Sequence, residues 1–166
     1  MLKVGLVLAE CYANTCFAEA IAEGLGLDVK PHHTREMGRD KVLVKAVRAL
    51  EGKLKDDEME LIVIDYERGP ARKYIDENFE RKGMYEGKVY IGAFRGNGRL
   101  VAIIFDPDIE EFLCKLTGRY RDERERDALK RGGLDRVREE LRGIIKTKLS
   151  QVIDDVVNEL REHYMR

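Results

Sequence analysis

At 166 residues the chain is long enough for one domain with a sizeable core and an extension, and two independent domains would be cramped. Charged residues are 38% of it yet nearly cancel, 31 Lys and Arg against 32 Asp and Glu, so no global field recruits nucleic acid or an anionic membrane, and any such contact has to be local. The apolar runs are too short to span a bilayer or serve as a signal peptide, and the three cysteines, Cys11, Cys16 and Cys114, form neither a CxxC pair nor an even disulfide framework; this predicts a cytoplasmic protein with reduced thiols and no membrane partner.

Lys3–Ala9 is an apolar run with strand character, and residues 14–25 then carry Phe17, Ala20, Ile21 and Leu25 at helical spacing before Gly24 and Gly26 end the pattern. Residues 27–31 suit a second strand, followed by a polar loop through His32, His33 and Thr34 to Gly38. From Asp40, read as an N-cap, Val42, Leu43, Ala46, Val47 and Leu50 mark an amphipathic helix closed by Gly52. Residues 61–66 form the clearest strand. Pro70 then fits the first turn of a helix with Tyr74, Ile75 and Phe79 inward.

Residues 88–94 and Leu100–Phe105 are two further strands, and the Gly96-Asn97-Gly98 turn signal between them predicts a C-terminal hairpin. Ile109, Phe112, Leu113 and Leu116 begin another helix. Residues 119–131 alternate Arg with Asp and Glu, a self-compensating pattern suited to an ion-paired joint rather than a phosphate-binding stripe, and Gly132-Gly133 closes it. Beyond it Val137, Leu141, Ile145, Leu149, Val152, Val156, Leu160 and Tyr164 recur every three or four residues, which predicts one long helix packed either on its own sheet or on a partner, including a second copy in a homodimer. The expected fold class is α/β: a three-layer sandwich around a mostly parallel sheet, with a core over residues 1–118 and the charged joint and long helix over 119–166. Abundant Lys, Arg and Glu with few Asn and Gln lean toward a thermophilic source.

Two of the apolar strands stop on acids. Glu10 follows the first, and Asp65 ends the later one with Glu67 two residues on. Open α/β sheets bind ligands at the carboxyl ends of their strands, so neighbouring first and third strands would bring these carboxylates to one edge. At about 4 Å and an effective dielectric near 20, each ionised pair repels by roughly 4 kcal/mol, and a hard divalent cation such as Mg²⁺ or Mn²⁺ relieves this. The plainer reading is that such acids cap the following helices or stay solvated. A second acidic group, Asp106-Pro107-Asp108-Ile109-Glu110-Glu111, either extends this site or starts a helix, with Asp108 as N-cap and Glu111 as its capping-box partner.

The order of apolar strand, Glu10, helix and then Ile64-Asp65-Tyr66-Glu67 resembles the TOPRIM domain of topoisomerases, primases and OLD-family nucleases. That resemblance implies Glu10 as metal ligand or general base, Asp65 and Glu67 as ligands of Mg²⁺ or Mn²⁺, and a metal-dependent nuclease or phosphohydrolase acting on nucleic acid or another phosphorylated substrate. The chain departs from the family pattern at Cys11, where a glycine is expected, at Asn14, often an aspartate, and at Glu67, the second aspartate of Asp-x-Asp. A non-enzymatic scaffold or partner-binding protein is the alternative.

A weaker likeness, to low-molecular-weight tyrosine phosphatases and arsenate reductases, rests on Cys11 to Cys16 after a strand and on Asp106-Pro107 downstream. That chemistry needs an arginine in the phosphate loop, and the position holds Phe17. With Ser150 the only serine, a serine hydrolase is excluded; the glycines form no Walker or dinucleotide fingerprint, and His32-His33 suits a solvated loop better than a zinc site.

Overall fold

The computed structural model describes residues 1–33 and 38–166. Among them six strands form one sheet in the order β2-β1-β3-β6-β5-β4, where β1 is Lys3–Ala9, β2 His32–His33, β3 Glu58–Asp65, β4 Phe79–Met84, β5 Val89–Phe94 and β6 Leu100–Phe105. β2, β1, β3 and β6 run parallel, and β5 is antiparallel to both β6 and β4. The described residues also form the α-helices α1 Tyr12–Leu25, α2 Gly38–Gly52, α3 Pro70–Asn78, α4 Ile109–Thr117, α5 Glu123–Arg126, α6 Leu134–Lys146 and α7 Ser150–His163.

The apolar runs at residues 61–64 of β3 and along β6 follow from their central position, because a strand covered on both faces places apolar side chains on each. Met59, Leu61, Val63, Val101, Ile103 and Phe105 join α1, α4, α6 and α7 in one core cluster. Ile62, Ile64, Leu100, Ala102 and Ile104 join α2 and α3 in the other. α1 leaves β1 toward the first cluster and α3 leaves β3 toward the second. The chain ends of β1 and β3 therefore diverge, and the 2-1-3 strand order places a switch point between them. The first cluster is the larger, with Phe105 edge-on to Phe17 at 5.0 Å and tilted against Phe112 at 5.5 Å.

Several expectations are corrected. Residues 27–31 are not a strand; Leu27 and Val29 pack against the first cluster, and the short β2 falls at His32–His33 beside Leu8 and Ala9, inside the stretch read as a loop. The remainder of that loop, residues 34–37, lies outside the described residues. α1 begins two residues before Asn14, and α2 begins at Gly38, so Asp40 sits in its first turn rather than capping it. Tyr74 is 37% exposed, not inward, and Phe79 opens a strand.

That strand, β4, has no apolar pattern because it lies at the sheet edge with one covered side, and Phe79 is its single buried residue. Its pairing with β5 requires Gly92. A Cβ there would press on the Glu80 carbonyl oxygen and lie 3.0 Å from Arg81 Cα. Gly92→Ala is expected to cost about 1–3 kcal/mol, measured as a lower denaturant midpoint at unchanged slope.

The predicted long C-terminal helix is two helices. Residues 147–149 break it: the Thr147 hydroxyl donates back to the Gly143 carbonyl at 2.7 Å, and Leu149 N–H reaches Ile144 O at 2.9 Å. The break redirects the stripe. Ile144 rather than Ile145 is buried, and Val137, Leu141, Leu149, Val152, Val156 and Leu160 all enter the first core cluster with α1 and the sheet. The apolar stripe that suggested a partner is thus covered by the chain itself. The charged joint is also tied down, by buried Tyr120 and Leu129 and by the pairs Arg119–Glu140 at 2.6 Å and Arg126–Glu111 at 2.7 Å.

Candidate metal centre

The side-by-side pairing of β1 and β3 puts Glu10 and Asp65 at the same end of the sheet. Glu10 is anchored through its own N–H to Val63 O at 3.1 Å, and its Oε2 accepts the Asp65 N–H at 2.8 Å. The Asp65 carboxylate, 4% exposed, accepts the Ile109 N–H through Oδ1 at 3.0 Å, which ties β3 to the start of α4. Glu67 takes a left-handed backbone, φ 50°, with its N–H on Pro107 O. Such a conformation in a residue with a side chain costs about 1–3 kcal/mol and persists where its surroundings hold it. One carboxylate oxygen from each of Glu10, Asp65 and Glu67 lies within 4.8 Å of the other two.

The charge balance is lopsided. A cavity of about 300 Å³ is lined by Glu10, Cys11, Asp65, Glu67, Asp108, Glu110, Glu123, Arg126 and Lys130. Six of those residues are acids, against two bases. Burial, then repulsion from Glu67 and Glu110, raises the Glu10 carboxyl from its ordinary 4.5 to about 7, against the pull of the Asp65 N–H and Arg39. Asp65 is held well above its ordinary value by burial and by Glu10, Glu110 and Asp108, and Glu110 is raised chiefly by burial.

Positive charge approaches from one side. Arg39 at the start of α2 donates to Tyr66 O, lies 3.7 Å from the Glu67 carboxylate and is nearly buried. Arg72 stacks 4.0 Å from the centre of the Tyr66 ring and donates to Glu67 O at 2.9 Å and Asp106 Oδ1 at 3.3 Å. These arginines hold the Glu67 turn in place.

The donor set fits a small divalent cation. Oxygens around an ion with bonds of about 2.0–2.1 Å lie roughly 3–4 Å apart, so a small inward movement would complete the set. Each donor is a carboxylate already oriented by a backbone N–H or a neighbouring arginine. Of the second acidic group, Asp108 caps α4, accepting Glu111 N–H at 2.8 Å, and also lines the cavity with Glu110. Glu111 does not complete a capping box; it pairs with Arg126. Asn14 is buried and outside the cavity lining.

The thiol chemistry finds no support here. Burial, with Asp65 and Glu110 nearby, pushes the Cys11 thiol well above its ordinary value, opposite to what a thiolate nucleophile needs. Burial does the same to Cys16, raised to about 12. Sequence reading missed Arg39, Glu123, Arg126 and Lys130. Their only local signal was membership of charged segments, and a fold across residues 39–130 is what brings them to the acids.

Comparison with known protein families, curated proteins and solved structures returns no match in any of the three.

Proposed function

We propose that this chain is a divergent TOPRIM-like three-layer α/β protein whose Glu10, Asp65 and Glu67 hold Mg²⁺ or Mn²⁺ for phosphoryl transfer or phosphodiester hydrolysis. The convergence of those carboxylates within 4.8 Å, at the switch point of the sheet, carries this reading. When bound, the cation would neutralise the carboxylates and stabilise charge on a phosphate group.

The chain's own residues have separable roles. Glu10 Oε2 is fixed by the Asp65 N–H, which leaves Oε1 to ligate or to accept a proton from an attacking water. A carboxyl titrating near 7 is suited to that exchange at neutral pH. Arg126 and Lys130, on the cavity wall, supply positive charge to a phosphate entering an otherwise acidic site.

The test is turnover of a generic phosphodiester, such as bis(p-nitrophenyl) phosphate, and of a single-stranded oligonucleotide. We expect hydrolysis with Mg²⁺ or Mn²⁺ and none with chelator. Metal binding without turnover of either substrate would reduce the protein to a non-enzymatic cation-binding scaffold.

A further inference from the structure

A second cavity lies away from the Glu10, Asp65 and Glu67 carboxylates. It has a volume of about 690 Å³ and is lined by Leu6, His32, Asp40, Lys41, Val44, Lys45, Arg48, Ala49 and Lys53. Lys41, Lys45 and Arg48 fall at i, i+4 and i+7, on one stripe of α2, with a rise of about 6 Å and then about 4.5 Å between them. Lys53 continues the line just beyond the helix.

Some cations of this chain are held by acids, as in Arg138–Glu19 at 2.9 Å and Lys82–Glu159 at 2.9 Å. Lys41, Lys45, Arg48 and Lys53 form no salt bridge among the described residues. Asp40, the acid in the lining, faces Arg39 at 3.5 Å. Glu60 is near enough to feel Lys45, but its carboxyl is raised to about 8 and is mostly neutral at pH 7.

Two further observations give the stripe direction and a second chemistry. The helix that carries it begins with Arg39 on the Glu67 carboxylate, so the line of cations runs about 20 Å from the acid site. Along its flank, Val44 is 51% exposed and Tyr74, across an apolar hollow of about 560 Å³ shared with Val47 and Pro70, is 37% exposed. A row of cations beside an exposed aromatic ring matches a polymer of phosphates bearing flat apolar bases better than it matches an acidic peptide.

We infer that α2 is a docking track for single-stranded nucleic acid, with phosphates on Lys41, Lys45, Arg48 and Lys53 and bases against Val44 and Tyr74. The inference rests on the proposed function for its direction, since it makes the acid site the destination of the strand. A net charge of −1 agrees with a local track: nucleic acid is recruited by one stripe and repelled elsewhere.

The experiment is fluorescence anisotropy of a labelled oligothymidylate of about 12 nucleotides, titrated with the full chain in chelator at several salt concentrations. The intact protein is expected to bind, more weakly as salt rises. Lys41→Gln with Arg48→Gln, both exposed positions, should weaken binding at least about tenfold and flatten the log–log salt slope by about 1.4, the signature of two lost phosphate contacts. Tyr74→Ala should weaken it about fivefold or more. No binding by the intact chain, an unchanged salt slope in the double variant, or equal competition by polyglutamate would overturn the track. Chelator removes any metal, so anisotropy reads the track alone. A melting-temperature rise with Mg²⁺ in the same double variant reads the acid site alone, so the two failures are distinguishable.

Discussion

Asp65→Asn makes the metal-free protein more stable at pH 8 and at the same time blind to Mg²⁺. Asp65 is buried among Glu10, Glu110 and Asp108, and its carboxyl is held well above the ordinary value by burial first and by those neighbours second. The folded state therefore keeps a proton that the unfolded chain has released. Stability contributed by that proton is present below the ordinary value of 3.8 and is lost as pH rises toward the raised folded value. Asparagine carries no charge to bury, and its carbonyl oxygen can still accept the Ile109 N–H that Asp65 Oδ1 now takes. A gain of about 1–2 kcal/mol at pH 8, seen as a rise of a few degrees in melting temperature, is expected. The amide is a poor ligand for a hard cation, so metal-dependent hydrolysis should fall below detection. Loss of stability in the variant, with turnover intact, would show that Asp65 is a structural acid.

The second large effect lies at Glu60, outside the acidic cavity. It sits in β3 with no exposed surface, neither carboxylate oxygen has a hydrogen-bond partner among the described residues, and burial raises it to about 8 against the pull of Lys45. The sign follows from its protonation. Between the ordinary 4.5 and about 8 the folded chain holds a proton that the unfolded chain does not, so stability falls through this window as pH rises. Glu60→Gln should match the intact protein near pH 5 and exceed it by a few kcal/mol at pH 9, measured by denaturant unfolding at both pH values. Mg²⁺ should leave this difference unchanged, because Glu60 lines neither the acidic cavity nor its ligand set. Parallel pH profiles for the two proteins would contradict the assignment.

What could be read from sequence depended on how local each signal was. β1, β3 and β6 are covered on both faces and announce themselves by apolar runs, interrupted in β3 by Glu58 and Glu60, and the Gly96-Asn97-Gly98 turn marks where β5 gives way to antiparallel β6. Glu10, Asp65 and Glu67 stood out because acids interrupt such runs, and the pairing of β1 with β3 brings them together. β4 was invisible because an edge strand such as Phe79–Met84 needs one buried side chain and carries polar residues elsewhere. The break between α6 and α7 was hidden for a different reason. A helix stripe and a broken stripe have nearly the same spacing, and the break shows only in the backbone, where Leu149 N–H reaches back to Ile144 O. Arg39, Arg126 and Lys130 gave no sign, since each sits among other charges and acquires meaning from residues tens of positions away.

The most direct measurement is the melting temperature of the intact chain as Mg²⁺ or Mn²⁺ is added after chelation, at pH 6 and pH 8. Converging carboxylates predict a rise at pH 8 of about 5–10 °C once the free ion reaches about 100 times its dissociation constant. The rise should be smaller at pH 6, because protons on Glu10, which titrates near 7, compete with the cation. No shift with either ion at pH 8, or the same shift in Asp65→Asn, would contradict a metal centre at Glu10, Asp65 and Glu67.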